Sequence, residues 1–408
     1  MKKILLVAFS CQPGKGSEPG VGWNWAVQAA KTQDVWVLTR SKMKKYVEPA
    51  IPEELKDSLH FLYAPSSKKL RKLTIYLEYL AWQHTAFRYA KKYCREMQFD
   101  CVWSITFGNM FLPTYMYKLG LPFIWGPVGG AEQVPKQYWK EFPFKKRCVH
   151  MLKYWMGQHI KLLPWIWKPA KEAALIIART QATKELFPQD MQDKVQVHLE
   201  ACVDMERDFC FDLALAAQLK KSNGINLLYT GRIIDIKNIP MLVSIMKDIK
   251  KDYPDCRLHI LGDGDERAES EDLVKKYGIQ NNVVFYGNVP RASLLKAVQE
   301  CDAFVFPSLK EGAPWSLLEA MAFEKPIVAY DLNGMHDTLS PEGAILVNID
   351  GKTPSEAKDA FLVGMQKLLC MSQTEKNRMG LAARKRLETV HSAAGVKNYI
   401  QTVIDSIV

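Results

Sequence analysis

The chain has 408 residues, 48% of them hydrophobic and 24% charged, which is typical of a soluble globular protein with about two domains. No unbroken apolar run approaches the roughly 18 residues that a membrane span needs. Nine cysteines without a C-x-x-C pair argue against a disulfide framework or a zinc site and fit a reducing, cytoplasmic compartment.

The net charge of +11 indicates either an anionic partner or a solubilising excess spread over the surface. No nucleic-acid-binding motif accompanies the charge, so we expect no nucleic-acid partner. An anionic substrate and an anionic membrane surface stay open as explanations.

The chain opens with a short apolar run inside Met1–Cys11. This run is at the lower limit for a signal peptide and leads straight into a glycine loop, so a buried strand is the preferred interpretation. The loop Gln12–Trp23 and a predicted helix over Trp25–Ala30 complete the opening of a doubly wound α/β domain. Gly20 and Gly22 would let backbone approach a ligand closely, although a tight turn explains such a loop equally well.

Further apolar runs predict the remaining strands of the first half: Val35–Thr39, His60–Tyr63, Cys101–Ile105, Pro122–Trp125 and Ala174–Ala178. The segment Gly126–Glu132 follows one of these strands, where open α/β sheets bind ligands, or is a plain connection. Residues 186–223 are predicted to be irregular and to contain the interdomain linker.

Two segments rich in basic and aromatic residues allow two interpretations. Residues 68–97 are helical by periodicity, with Lys68, Lys69, Arg71 and Lys72 at their start and with one face formed by Leu70, Leu73, Leu77 and Leu80. Residues 145–168 interleave lysine and arginine with tryptophan and tyrosine. Both patterns suit a bilayer interface, and both also suit helices that pack on the domain's own sheet.

In the second half, strands and helices alternate and predict a second Rossmann-like unit. Predicted strands lie in Asn226–Asn238, Arg257–Gly264, Val283–Asn288, Ala303–Phe306 and Pro326–Ala329, and the chain is helical from about residue 355. The pair Asp263 and Asp265 could hold a metal, but aspartate and glycine are also the usual turn residues. We therefore expect no metal site here.

Two cations follow the first strand of this half. Gly231 forms a turn, and Arg232 and Lys237 come directly after it. Two cations on one turn beyond a strand end are what a diphosphate requires, although such a pair is also common on a solvated surface.

Glu311 and Glu319, with seven residues between them, lie on either side of a predicted turn from strand to helix. Pro314 suits the first helical turn, and the free backbone N–H groups of Gly312 to Trp315 would favour an anion. One carboxylate could hold the hydroxyls of a sugar and the other a ribose. The alternative is an ordinary strand, turn and amphipathic helix with two solvated glutamates.

The string Pro307-Ser-x-x-Glu-Gly-x-Pro-x-x-x-x-Glu-Ala320 resembles the nucleotide-sugar signature of retaining GT-B glycosyltransferases of family 4, of the bacterial group 1 type. Gly231-Arg-x-x-x-x-Lys-Asn238 and the loop Gly16–Trp23 resemble further segments of that family. The resemblance implies an α/β GT-B fold of two Rossmann-like doubly wound domains facing across a cleft. It places an acceptor-side domain at 1–200, a nucleotide-sugar domain at 201–385 and a helix returning to the first domain at 386–408.

The resemblance also implies the roles of the site residues. Arg232 and Lys237 would bind the diphosphate and would form the catalytic group together with Glu311, which would hold sugar hydroxyls. Glu319 would hold the ribose. The other donor-binding residues would be Gly20, Gly22, Gly231, Gly312, Ala313, Pro314 and Trp315. The chain departs from the family where Gly126 and Pro127 replace a histidine, at Glu324, where glycine is common, and in the segment Asn333–Asp337.

The implied reaction moves a sugar from a UDP- or GDP-sugar to a saccharide or lipid-linked acceptor, with retention, for polysaccharide assembly at the cytoplasmic face of a membrane. It needs no metal and no cofactor, because the nucleotide-sugar is a substrate. One alternative is a nucleotide-sugar epimerase of the same fold, which would isomerise the donor without an acceptor. A second is a non-catalytic nucleotide-sugar-binding protein at a membrane surface, which would bind the donor and never turn it over.

Overall fold

Two parallel β-sheets organise the chain in the computed structural model, which describes residues 1–14, 17–209, 219 and 222–408. One unit contains Met1–Ala131, Leu152–Cys202 and His391–Val408, and the other contains Glu132–Met151 and Val203–Val390. Each unit is a parallel sheet with helices, so the predicted pair of Rossmann-like α/β domains is confirmed.

The first unit has seven strands in the order β3-β2-β1-β4-β5-β6-β7, and the second has six in the order β10-β9-β8-β11-β12-β13. The strands of the first sheet are β1 (Lys3–Ala8), β2 (Asp34–Arg40), β3 (Leu59–Ala64), β4 (Cys101–Thr106), β5 (Phe123–Val128), β6 (Leu175–Ala178) and β7 (Val195–Val197). Those of the second are β8 (Asn226–Thr230), β9 (Arg257–Leu261), β10 (Val283–Gly287), β11 (Ala303–Phe306), β12 (Ile327–Tyr330) and β13 (Ile345–Val347).

The α-helices are α1 (Ser17–Ala30), α2 (Lys44–Val47), α3 (Lys68–Leu73), α4 (Ile75–Glu96), α5 (Phe144–Gln158), α6 (Pro164–Glu172), α7 (Gln181–Glu185), α8 (Met205–Phe209), α9 (Ile239–Asp252), α10 (Arg267–Lys276), α11 (Arg291–Glu300), α12 (Trp315–Ala322), α13 (Asn333–Thr338), α14 (Pro354–Cys370), α15 (Gln373–Arg386) and α16 (Ala393–Ile407). Among the described residues, no helix is both long enough and apolar enough to cross a bilayer.

Strand β1 shows why the first sheet is buried on both faces. Its side chains alternate, so that Ile4 and Leu6 enter one hydrophobic cluster while Leu5 and Val7 enter another. The first cluster also contains residues of α1 and α16. The C-terminal helix α16 therefore packs in the core of the first unit.

The glycine segment near the N-terminus is helical and not the predicted loop. Helix α1 begins at Ser17, so both Gly20 and Gly22 lie inside it. A Cβ atom at Gly22 would lie 2.1 Å from the carbonyl oxygen of Ser10. The glycine therefore permits close packing of the helix against the segment that follows the first strand. The loop prediction was wrong because it was based on glycine composition alone.

Two further predictions are corrected by the sheets. Strand β5 continues to Val128, so Gly126 and Pro127 are buried strand residues and not part of a loop. The stretch 186–223 is not irregular throughout, because Val195–Val197 pairs with β6, and residues 210–218, 220 and 221 of that stretch lie outside the described residues. Strand β13 was not predicted. Both β7 and β13 have only three residues, too few for a clear apolar period.

The helical segment 68–97 is two helices separated at Thr74, which has extended backbone angles. The hydroxyl of Thr74 accepts a hydrogen bond from the N–H of Tyr76 and caps α4. The buried face of α4 contains Tyr79, Trp82 and Ala86, whereas Leu77 is exposed. The predicted leucine face is therefore not the face that packs on the sheet.

Candidate functional site

The candidate site of the second unit consists of loops at the carboxyl ends of three neighbouring strands. Strands β9, β8 and β11 are adjacent in the sheet, and each ends in a loop that contains predicted site residues or glycines. Parallel α/β sheets bind ligands at this edge, beside the point where the strand order reverses. The topology alone therefore brings the segments around Arg232 and Glu311 to one edge of the sheet.

The loops after β8 and β9 are packed backbone to backbone. The N–H of Gly231 donates to the carbonyl of Leu261 at 2.9 Å, and the N–H of Ile233 donates to that of Asp263 at 2.9 Å. A Cβ atom at Gly262 would lie 1.9 Å from the carbonyl oxygen of Gly231. Glycine is therefore required at position 262 for the loop that presents Arg232.

Asp263 belongs to a turn. Its Oδ1 accepts from the N–H of Gly264 at 2.8 Å, and its Oδ2 lies 3.3 Å from a guanidinium nitrogen of Arg267. Within the part of the chain that the structure describes, no group of three or more histidine, cysteine or acidic side chains is placed to hold a metal ion.

Lys237 and Glu311 form an ion pair across the loops that follow β8 and β11. The Ser308 hydroxyl donates to the same Glu311 oxygen at 2.7 Å. The backbone N–H of Leu309 donates to the carbonyl of Ile236 at 2.8 Å and ties the two loops together. Both charged side chains are largely shielded, with 12% of Lys237 and 14% of Glu311 exposed, so two of the three predicted catalytic residues are in contact.

Arg232 is the third predicted catalytic residue, and it is exposed. Among residues 1–14, 17–209, 219 and 222–408, no carboxylate pairs with its guanidinium. Its carbonyl accepts a hydrogen bond from the hydroxyl of Tyr229 at 3.0 Å, which fixes the backbone that carries the cation. The guanidinium is therefore available to an anion.

Helix α12 begins at Trp315, and Pro314 is its N-cap with φ −76° and ψ 103°, so Pro314 lies directly before the first helical turn and not in it. The N–H groups of Gly312, Ala313, Trp315 and Ser316 have no acceptor within the described chain. The N–H of Gly334 donates to the carbonyl of Glu311 at 3.1 Å and so fixes the loop before this helix. This helix start therefore offers several backbone donors to an anion.

Glu319 lies inside α12 and is only 4% exposed. Its carboxylate pairs with Arg291 of α11, and a second nitrogen of Arg291 lies 3.4 Å from the carbonyl oxygen of Asp208. Burial raises the pKa of Glu319, while the charge of Arg291 opposes that rise. Arg291 was not predicted from the sequence, because no motif links it to a glutamate 28 positions further along the chain.

A second acidic group, also missed from the sequence, lies beside the loop after β9. Burial, together with the nearby charges of Asp235 and Glu269, raises the pKa of Glu266 to about 7. Its Oε2 has no hydrogen-bond partner among the described residues. Lys146 forms an ion pair with Asp235, and its positive charge lowers the pKa of Glu266 without cancelling the rise.

The first unit has a partly buried carboxylate of its own at the carboxyl end of its sheet. Glu18, in the first turn of α1, accepts hydrogen bonds from the N–H of Phe107 at 2.9 Å and of Gly108 at 3.1 Å. Burial and the charge of Glu200 raise the pKa of Glu18 to about 7. Gly20 and Gly22 lie on the same helix, and their predicted donor contacts stay predictions.

Two departures from the family pattern lie at positions with positive φ. Glu324 has a positive φ of 54°, a conformation in which glycine is favoured. Asn333 also has a positive φ, and its side-chain amide donates to the carbonyl of Gln133 at 3.1 Å. Asparagine tolerates this conformation better than most residues.

Residues 212–386 match the family model of glycosyl transferases group 1. Over 121 residues the chain is 33% identical to an uncharacterized glycosyltransferase of Methanocaldococcus jannaschii, which covers 29% of this chain and 29% of the relative. Over 192 residues it is 25% identical to the alpha-D-kanosaminyltransferase of Streptomyces kanamyceticus, covering 46% of this chain and 50% of the relative. The chain thus matches between about a third and a half of the length of these relatives.

Solved structures match nearly the whole chain. The lipopolysaccharide outer core galactosyltransferase WaaB, in its apo form, has a TM-score of 0.65 at 16% identity and covers 99% of both chains. The HepE protein of Anabaena, in complex with UDP-glucose, has a TM-score of 0.54 at 14% identity and covers 100% of both chains. These neighbours confirm the GT-B fold class, and residues 212–386 are similar to glycosyl transferases group 1.

Replacing the carboxyl of Glu266 changes how the stability of the second unit depends on pH. The folded-state pKa of about 7 lies above the unfolded value, so the folded state keeps its proton while the unfolded state has lost it. This stabilising contribution is complete below about pH 4.5 and is lost as pH rises towards 7. Between pH 5 and pH 8 we expect the free energy of unfolding of the wild type to fall by about 1–2 kcal/mol through this carboxyl, a modest value because the carboxyl is half-exposed. Urea unfolding of Glu266→Gln over the same range should show that this fall is gone.

The matched control is Glu54→Gln, which changes an exposed glutamate of the first unit and should leave the pH profile of the wild type intact. A Glu266→Gln profile parallel to that of the wild type would contradict the assignment.

Proposed function

We propose that this protein is a retaining glycosyltransferase that moves a sugar from a UDP- or GDP-sugar to a saccharide or lipid-linked acceptor in polysaccharide assembly. The proposal depends above all on the ion pair of Lys237 and Glu311 beside the free N–H groups of α12. This arrangement lies within the segment that matches the group 1 family model.

The diphosphate of the donor would bind to Arg232, Lys237 and the backbone donors at the start of α12. Cations and preorganised N–H groups stabilise the charge that develops on a leaving diphosphate, which is usually the largest single contribution to such catalysis. Because these groups supply the positive charge, we propose that the reaction needs no metal ion.

Glu311 would accept hydrogen bonds from hydroxyls of the transferred sugar, and its pairing with Lys237 would hold that carboxylate next to the diphosphate. Glu319 would accept from the ribose hydroxyls. Arg291 supports this role because it keeps positive charge next to a buried carboxylate that would otherwise tend to take up a proton. Arg291 is therefore a positioning residue for the nucleotide.

Transfer with retention is proposed without a covalent nucleophile. The leaving phosphate would help to remove the proton of the acceptor hydroxyl, and substitution would occur on the same face of the sugar. The HepE structure with UDP-glucose supports a UDP-sugar donor, and the name of WaaB supports a saccharide acceptor in glycan assembly.

Helix α5 supports a peripheral membrane location at the cytoplasmic face. Its outward face is apolar, with Met151 53%, Leu152 56% and Trp155 48% exposed. The basic residues Lys145 and Lys153 accompany this face. An exposed apolar face with tryptophan and adjacent lysines matches an interfacial helix on anionic lipid. All eight cysteines among the described residues are free thiols, which supports a reducing compartment.

Removing the Lys237 ammonium should lower turnover far more than it affects folding. We expect Lys237→Gln to reduce the rate of sugar transfer by about 10²–10³-fold, because one stabilising charge on the leaving group is lost. Transfer is measured with UDP- and GDP-sugars in the presence of candidate acceptors, and NMR gives the anomeric configuration of the product.

Lys247→Gln, an exposed lysine on α9, is the matched control and should retain wild-type rates. Equal activity of Lys237→Gln and wild type would refute the assigned role. Consumption of donor without acceptor, with an isomer returned, would favour an epimerase, and binding without any turnover would favour a non-catalytic protein.

The membrane proposal is tested by co-sedimentation with vesicles that contain anionic lipid. We expect Leu152→Glu/Trp155→Glu to bind at least about tenfold more weakly than the wild type, because apolar area is lost and negative charge is added. The control Val363→Glu changes an apolar residue that is 63% exposed on α14, and it should bind like the wild type. Wild-type protein that stays in the supernatant, or that elutes as a dimer dependent on Trp155, would contradict membrane binding.

A further inference from the structure

The ammonium of Lys237 has a second neighbour besides Glu311. Its Nζ lies over the aromatic ring of Phe306, 5.3 Å from the ring centroid. A lysine ammonium within about 6 Å of a ring centroid is attracted to the electron-rich face of the ring. Phe306 is 1% exposed and the Lys237 side chain is 12% exposed, so water screens this attraction only weakly.

Phe306 is the last residue of β11, and two further rings hold its side chain in place. The ring of Phe304 lies 6.2 Å away at an interplanar angle of 23°, and the ring of Tyr229 lies 6.0 Å away at 20°. All three side chains are buried, and we refer to them as the aromatic row. Stacked rings at these distances attract each other, and close packing leaves them little freedom to move. Phe306 therefore offers a fixed surface to the Lys237 ammonium.

The aromatic row also supports the second cation of the candidate site. The hydroxyl of Tyr229 donates to the carbonyl of Arg232 at 3.0 Å, and a Cβ atom at Gly231 would lie 2.8 Å from that hydroxyl oxygen. Burial and the nearby charge of Glu311 raise the pKa of Tyr229 well above its usual value, so its hydroxyl stays protonated and remains a donor. The same row of rings thus contacts the Lys237 ammonium and fixes the backbone of Arg232.

The two roles proposed for the ion pair compete for the same charges. Glu311 balances Lys237 in the structure, whereas sugar transfer requires the carboxylate to bind sugar hydroxyls and the ammonium to bind the diphosphate. A carboxylate against the ammonium also cancels part of the positive charge that the diphosphate needs. An aromatic ring attracts a cation through its quadrupole and has no net charge, so it can hold the ammonium without neutralising it.

We propose that Phe306 is a positioning residue that holds the Lys237 ammonium at the donor site by a cation–π contact while Glu311 binds the transferred sugar. The role in transfer rests on the proposed function, whereas the contact itself is present in the structure. Phe306 acts through Lys237 and needs no contact with donor or acceptor. A ring that only filled the core here would serve equally well with an electron-rich or an electron-poor face, and this difference separates the two roles.

Fluorination of the Phe306 ring tests the proposal, because fluorine withdraws electron density from the ring face and changes the shape of the ring very little. Mono-, di- and trifluorinated phenylalanine are introduced at position 306 of the full-length chain, and the rate of sugar transfer is measured. We expect turnover to fall with each added fluorine, by about two- to tenfold in total, as the cation–π attraction is lost. Phe306→Leu would be less informative, because it would also open a cavity in the core.

A double-mutant cycle shows whether the effect passes through Lys237. In the Lys237→Gln background, the trifluorinated ring should leave the remaining turnover unchanged to within about twofold, because the two changes no longer interact. Urea unfolding of the same set of proteins measures this coupling without any substrate. We expect the trifluorinated ring to lower the free energy of unfolding more when Lys237 is present than in Lys237→Gln.

The matched control places trifluorinated phenylalanine at Phe361, a fully buried ring of the second unit that packs against Tyr330. This protein should keep the wild-type rate of transfer, which would show that fluorination of a core ring does not by itself slow the reaction.

Equal turnover and equal stability of all forms fluorinated at position 306 would overturn the proposal and leave Phe306 a packing residue. A loss of turnover that persists unchanged in Lys237→Gln would also overturn it, since the ring would then act on something other than the ammonium. Wild-type protein that transfers no sugar, with the coupling still present in urea unfolding, would refute the proposed transfer and leave the cation–π contact in place.

Discussion

The ion pair between Lys237 and Glu311 joins the loops after β8 and β11, and the geometry of the candidate donor site depends on it. Both side chains are largely shielded from water, so each charge is balanced mainly by its partner. The hydroxyl of Ser308 donates to Glu311, and the hydrogen bond from Leu309 to Ile236 joins the same two loops. The pair thus fixes a cation and a carboxylate side by side, at the end of the sheet where a helix start supplies further donors.

A similar arrangement recurs at Glu319, although its partner comes from a different part of the chain. Arg291 belongs to α11 and reaches a carboxylate inside α12. The two glutamates of the signature therefore each pair with a separate cation, and the seven residues between them include the turn that exposes the backbone donors. The spacing of the motif reflects this arrangement, because one glutamate lies before the helix and the other lies inside it.

The sequence predicted most of the fold because the buried strands are uninterrupted apolar runs. It also predicted that Arg232, Lys237 and Glu311 follow such strands, whereas their roles in binding and catalysis stay predictions. It did not predict where α1 begins, since Gly22 is required for close packing against Ser10 and not for a turn. Arg291 and Glu266 were missed because their environments depend on contacts between distant segments. For the apolar face that includes Leu77, the sequence left open whether it packs on the sheet or stays exposed, because periodicity identifies an apolar face without identifying what covers it.

Calorimetric titration with UDP, GDP and ADP, on wild type and on Glu319→Ala, tests the central claim most directly. The control Glu388→Ala changes an exposed glutamate of the second unit, and circular dichroism checks that each variant is folded. We expect wild type and Glu388→Ala to bind one of these nucleotides tightly, and folded Glu319→Ala to lose this binding. Wild-type protein that binds none of the three, or a Glu319→Ala variant that binds as tightly as wild type, would contradict the assigned nucleotide-sugar site.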